Sequence, residues 1–217
     1  MRKRAYLPVR AVLFDWDGTL LNSFAGQTRA YLAMFRALGV AWNTRDLERF
    51  YSPNWYRVYR AARLPRAKWA EADRLWTHAY STETPHLMIG ARTTVESLRH
   101  KYVLGIVSSG NRPRVRGELR RFELARYFSA CVCNEDSPKK KPHPAPLELA
   151  LTQLNTNPAE CVYVGDAPED IEMARRAGVR PIGVLGPFPT AARLRAERPE
   201  VILPSIRILP RYLRGLN

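Results

Sequence analysis

Residues 11–23 read AVLFDWDGTLLNS. The apolar run has the composition of a buried strand, taken here as 11–17. It ends in two carboxylates, Asp15 and Asp17, with only Trp16 between them, and then in Gly18 and Thr19. Carboxylates that close repel each other. A fold keeps such a pair where something cationic joins them or where water solvates both.

The rest of the chain repeats the strand signal. Short apolar runs at 102–109, 128–136, 161–166, 180–186 and 200–204 alternate with helix-like segments at 91–100, 113–123, 145–154, 168–177, 190–197 and 205–214. Strands alternating with helices predict βαβ units, and so a Rossmann-like parallel α/β sheet of five or six strands covered on both faces. One interval breaks the rhythm. Residues 22–88 show no strand pattern, and Phe24, Tyr31, Phe35 and Leu38 recur at helical spacing. Asn43 or Thr44 would cap a second helix. The interval reads as a small all-helical domain inserted into a core formed by 1–21 and 89–217. Trp55, Trp69 and Trp76 are expected to form its own core.

Composition narrows the class. The chain has 217 residues, 46% of them apolar, which suffices for one large domain or a core with an insert. No apolar run reaches membrane-spanning length. The basic start, MRKRAYLPVR, lacks the apolar segment and cleavage site of a signal peptide, so a cytoplasmic location is expected. Cys131, Cys133 and Cys161 form no disulfide framework and read as buried free thiols, the first two on one face of a strand. Net charge is +15, with 29 arginines against 6 lysines. The arginines are dispersed and no nucleic-acid motif accompanies them, so nucleic acid is not the expected partner.

Ligands of an open parallel sheet bind outside the carboxyl ends of its strands. There the sequence places Asp15 and Asp17, then Ser108-Ser109-Gly110-Asn111, then Lys139-Lys140-Lys141, then Asp166 and Asp170. Converging carboxylates call for a hard divalent cation, and Mg²⁺ suits a few carboxylates plus a substrate phosphate. A lysine can offset the remaining charge and hold a phosphate oxygen, and Ser108 with the following amides can donate to others. These are the parts of phosphoryl transfer.

DWDGTLLNS, GIVSSGN, KKKPHPAP and VGDAPEDIEMARRAG resemble, in order, the four signature motifs of the haloacid dehalogenase-like hydrolase superfamily, over about Val12 to Gly183. The resemblance implies an aspartyl-phosphate on Asp15 as nucleophile, with Asp17 as general acid and its carbonyl on Mg²⁺. It implies phosphate binding by Ser108, by the Ser109 amide and by the turn at Gly18. It also implies Lys141 as the lysine of the K-P-x-P pattern, with Lys140 in reserve. Asp166 matches the metal-ligating acid, and Asp170 a second acid that reaches metal through water or pairs with the lysine. The true dehalogenases have D-x-Y-G-T and lack the acid at Asp17, so dehalogenation is not expected. The insert resembles the helical cap of phosphoglycolate phosphatase-like and β-phosphoglucomutase-like members.

The expected function is a Mg²⁺-dependent phosphatase acting on a small phosphorylated metabolite, phosphoglycolate being suggested by resemblance alone. A phosphomutase would use the same core. A phosphonatase would need a cap amine, for which Lys68 is the one lysine of the insert. A nucleic-acid-binding protein with an idle core is the reading from another class. Glu169 reads as a first-turn acid favoured by the helix dipole. Arg57, Arg60, Arg63 and Arg66 read as a solvated face. The sequence sets neither the individual substrate nor the oligomeric state.

Overall fold

The computed structural model describes residues 7–216. The basic residues 1–6 lie outside it, as does Asn217. Its main sheet has six parallel strands in the order β5-β4-β1-β6-β7-β8. These are β1 Ala11–Phe14, β4 Val103–Val107, β5 Ala130–Val132, β6 Cys161–Gly165, β7 Arg180–Val184 and β8 Val201–Leu203. Helices α5 (Ala91–Leu98), α6 (Arg112–Arg121), α7 (Ala145–Leu154), α8 (Pro168–Ala177), α9 (Ala191–Ala196) and α10 (Leu209–Arg214) fill the connections. The sixth strand, expected at 200–204, is present.

Each strand is shorter than its apolar run. The residues beyond turn away from the sheet within a residue or two, as Trp16 and Asp17 do after β1. The expected helix at 205–214 divides into a tight turn at Ile206–Ile208 and α10, with Pro210 in the first turn of α10.

Side-chain alternation gives the sheet two apolar faces. Val12, Phe14, Leu104, Ile106, Val162 and Val164 belong to one buried cluster. Ala11, Leu13, Val107, Cys161 and Tyr163 belong to the other, under α7 and α8. Cys131 and Cys133 share a face as expected, their Sγ atoms 3.8 Å apart. Cys131 is only half-buried.

The 22–88 interval is helical but not strand-free. Leu21–Asn22 (β2) pairs antiparallel with His86–Leu87 (β3), a two-rung ribbon that ties together the two ends of the insert. Between them run α1 (Phe24–Ala37), α2 (Thr44–Phe50), α3 (Trp55–Ala61) and α4 (Trp69–Tyr80). Asn43, not Thr44, caps α2: its side chain accepts from Arg45 and Asp46, and Asp46 accepts from the Asn43 amide. Tyr31, Met34, Phe35, Leu47, Val58, Tyr59 and Ala72 make a core separate from those of the sheet. Phe24, expected on this helical face, packs edge-on against Phe188 instead, with ring centroids 5.2 Å apart.

The Phe35 ring is fully buried in the helical core. Phe35→Ala should therefore cost about 3–5 kcal/mol, read from urea denaturation. A loss below about 1 kcal/mol would show that the helical layer does not rest on this core.

Candidate active site

Chain order reverses around β1. The path runs outward through β4 and β5, then crosses to β6 on the other side of β1. This opens a crevice at the carboxyl ends of β1, β4 and β6. Backbone pairing carries the ladder just past the strands, Asp15 N–H donating to the Val164 carbonyl and Ser108 N–H to that of Val132. Asp15, Ser108 and Asp166 thus stand together at one edge, 4–5% exposed or less.

Lys141 is the cation of this edge. It is 2% exposed. Its ammonium donates to Asp15 Oδ1 at 2.6 Å, Asp170 Oδ1 at 2.8 Å and the Tyr163 hydroxyl at 2.8 Å. Three N–H groups find three acceptors, which is what a buried ammonium requires. The Tyr163 hydroxyl donates in turn to the Val107 carbonyl. Asp170 also accepts from the Ala167 amide, closing the first turn of α8. Of the two arrangements expected for Asp170, the structure has the pairing with lysine.

Asp17 lies in a different field. Arg114 engages it with a two-pronged fork, at 3.0 and 2.5 Å, and Ser23 donates to it at 2.6 Å. Arg114 is placed by the start of α6, where Asn111 accepts from the Arg114 amide. Its fork is shared with Glu118 at 3.1 Å, and Glu118 accepts from the Trp16 indole at 2.7 Å. The two neighbouring aspartates therefore answer to two cations. Burial pushes the Asp15 carboxyl up to about 7, against the pull of Lys141. Burial also raises Asp17, but the Arg114 guanidinium outweighs it and holds that carboxyl below its ordinary value.

Asp166 completes the cluster. Carboxylate oxygens of Asp15, Asp166 and Asp170 lie within 4.8 Å of one another. Burial, then the charges of Asp15 and Asp170, push Asp166 well above the ordinary range. Its Oδ2 is buried and has no hydrogen-bond donor. An orphaned carboxylate oxygen among other carboxylates fits a hard divalent cation. A side chain at Gly18, whose φ is +85°, would overlap this carboxylate, as would one at Gly186. Glycine lets both turns approach it.

A cavity of about 180 Å³ lies between this edge and the helical layer. Asp15, Asp17, Ser109 and Asp166 line it, whereas Lys141, Asp170, Ser108 and Gly18 do not. The Ser108 hydroxyl accepts from the Gly110 amide. Two sequence readings need correction. Trp55 and Trp76, expected to serve only the helical core, also line the cavity. Glu169 is not merely a first-turn acid: it is 2% exposed, accepts from Ser52 at 2.6 Å and from Arg57 at 3.3 Å, and so ties the insert to α8. Lys140, the reserve for the role of Lys141, turns away from the carboxylates: its ammonium donates to the carbonyls of Asn134 and Ser137. Lys68 is exposed, pairs with Glu71 and does not line the cavity.

Sequence reasoning missed Arg114, Tyr163, Glu118 and Asp73. Arg114 was one of 29 arginines. Its only local signal was its place three residues after a capping Asn111. Tyr163 read as one more apolar strand residue.

Residues 12–184 match the family model described as haloacid dehalogenase-like hydrolase. The chain is 27% identical over 214 residues to a phosphoglycolate phosphatase of Photorhabdus laumondii, covering 94% of this chain and 92% of that protein. It is 26% identical to the pyrophosphatase PpaX of Oceanobacillus iheyensis, covering 93% and 95%. Its fold superposes on the crystal structure of CbbY from Rhodobacter sphaeroides in complex with phosphate with a TM-score of 0.80, at 25% identity, covering 93% and 96%. The chain belongs to the haloacid dehalogenase-like hydrolase family. Among the described residues no helix is long and apolar enough to cross a membrane.

The charge cluster predicts a pH effect. Asp15 titrates at about 7 in the folded chain against its ordinary 3.8. A raised carboxyl adds stability in its protonated form, present in full below the unfolded value and lost as pH rises through the folded one. In chelator, melting temperature should therefore fall between about pH 4 and 7, and a saturating divalent cation should remove most of that fall. Asp17 acts in the opposite sense, below the ordinary carboxylate value, and so outside this window. Parallel melting curves with and without cation would contradict the assignment.

Proposed function

We propose that this haloacid dehalogenase-like hydrolase is a Mg²⁺-dependent phosphatase that cleaves a small phosphate monoester through an aspartyl-phosphate on Asp15. The observation that carries the reading is the Asp15–Lys141–Asp170 arrangement beside the orphaned Asp166 oxygen, with Asp15 and Asp166 bordering a cavity. Asp15 and Asp166 would hold Mg²⁺, with the Asp17 carbonyl and with Asp170 in support. When bound, the ion would offset the carboxylate charges and the charge on the phosphoryl oxygens.

The residues then divide the work. Lys141 fixes the Asp15 carboxylate and balances its charge. An Asp15 oxygen bonds to phosphorus while the bond from phosphorus to the leaving oxygen breaks, and Asp17 gives that oxygen a proton. Water next attacks the aspartyl-phosphate, Asp17 takes its proton, and Asp15 and inorganic phosphate are released. The Ser109 amide and the Ser108 hydroxyl would donate to phosphoryl oxygens, while the Gly110 amide holds the Ser108 oxygen. The Arg114 fork holds Asp17 in its ionised form, the form needed to take the proton of water; to serve as the acid of the first step Asp17 would have to carry a proton on an oxygen released from the fork. Residues 22–88 serve as a cap domain over the core of 1–21 and 89–217, excluding water and meeting the leaving group. The names of the relatives suggest phosphoglycolate or pyrophosphate as starting candidates.

Phosphate release from an aryl phosphate tests the reading. It should require Mg²⁺, stop in chelator and fall by about a thousandfold or more in Asp15→Asn. An acid-quenched Asp17→Ala sample should carry phosphate on the peptide that contains Asp15. Release that survives both chelator and Asp15→Asn would overturn the mechanism.

A further inference from the structure

If the phosphatase reading holds, the leaving group sits in the cavity under the helical layer. The charges on its walls say what that group is. From the helical side the rings of Tyr31, Tyr51, Trp55, Tyr59 and Trp76 line it, with Asp73 and a few neutral residues among them. Asp73 Oδ1 accepts from the Tyr59 hydroxyl at 2.8 Å, and the Trp55 indole lies beside the same carboxyl. This wall is five aromatic residues, neutral polar side chains and one carboxylate.

The cations of the helical layer are engaged elsewhere or lie off this wall. Arg57 reaches Glu169. Arg60 and Arg66 lie over the Trp69 ring, 5.5 and 5.9 Å from its centroid. Arg29 pairs with Glu83, and Lys68 with Glu71. Among the described residues one cation lines the cavity, Arg114, and its fork is divided between Asp17 and Glu118. A leaving group with its own carboxylate or phosphate would approach Asp73 with no unengaged cation to meet it. Such a juxtaposition discriminates by repulsion as well as by missing attraction.

An uncharged hydroxylated alcohol fits both kinds of surface. Its C–H faces pack on the rings, and its hydroxyls can donate to Asp73 and meet the neutral polar groups of Gln27, Thr77 and Asn134. Size sets the upper limit. The cavity is about 180 Å³, a little more than the ~150 Å³ that admits benzene in an engineered core. The phosphoryl group takes part of it. What remains suits a short polyol or small sugar and not a nucleoside.

We propose that the leaving group is an uncharged small polyol or sugar, recognised by Asp73 and the aromatic wall, and that the site discriminates against the acidic leaving groups of phosphoglycolate and pyrophosphate. This rests on the phosphatase reading and refines it. The experiment compares kcat/KM in Mg²⁺ for an aryl phosphate, 2-phosphoglycolate, pyrophosphate, an amino-alcohol phosphate, and the monophosphates of glycerol, tetritols and pentoses. At least one polyol or sugar phosphate should exceed 2-phosphoglycolate and pyrophosphate by about tenfold or more. In folded Asp73→Asn the ratio of 2-phosphoglycolate to that best substrate should rise by about tenfold; the wild-type panel decides alone if the variant does not fold. Aryl phosphate cleavage with 2-phosphoglycolate or pyrophosphate ahead would overturn this inference and leave the phosphatase reading standing. A preference for the amino-alcohol phosphate would also overturn it, replacing hydroxyl recognition with cation recognition on the aromatic wall. No release from any compound, the aryl phosphate included, would overturn the phosphatase reading and this inference with it.

Discussion

The Lys141 ammonium, buried between Asp15 and Asp170, is the interaction on which the rest depends. An unpaired charge at that depth would be costly, and replacing one partner would strand the others. The cluster needs three separated parts of the chain at once: the end of β1, the loop before α7, and the start of α8 with β6 beneath it. A parallel sheet with β1 between β4 and β6 brings these parts to one edge. The apolar clusters on both faces supply the burial that makes the pairing strong.

The same logic explains how two aspartates two residues apart can both be kept. Each side chain has its own cation, Lys141 for Asp15 and Arg114 for Asp17. Their environments push the two carboxyls in opposite directions, Asp15 up and Asp17 down. A divalent cation bound beside Asp15 would bring that carboxyl back toward its ionised, nucleophilic form. Asp166 has no such cation of its own and keeps one oxygen without a donor. Among the carboxylates of the cluster, that oxygen is the feature best matched to a metal ion.

Much of this was legible in the residues. Near-continuous apolar runs separated by helical patterns gave the parallel sheet, because burial on both faces leaves little polar alternation to confuse the reading. Asp15, Asp17 and Asp166 stood out because they close such runs. What stayed hidden depends on long-range approach. Arg114 meets Asp17 across 97 positions, and Glu169 meets Ser52 across 117. No local pattern separates such residues from a solvated charge or a helix-dipole acid. Tyr163 occupies an ordinary inward strand position and differs from a phenylalanine there only in the hydroxyl that meets Lys141. The β2–β3 ribbon was invisible because two residues per strand carry no periodicity. The aromatics of the insert were read as core alone because helical spacing does not say which rings also border a cavity.

The most direct test of the account is calorimetric titration of Mg²⁺ into the metal-free wild type and Asp166→Asn, with folding of both checked by circular dichroism. The account predicts one Mg²⁺ site in the wild type and a loss of affinity of about tenfold or more in Asp166→Asn. Equal binding by the two folded proteins, or no binding by the wild type, would contradict the assignment of this acidic edge as a metal and phosphoryl site.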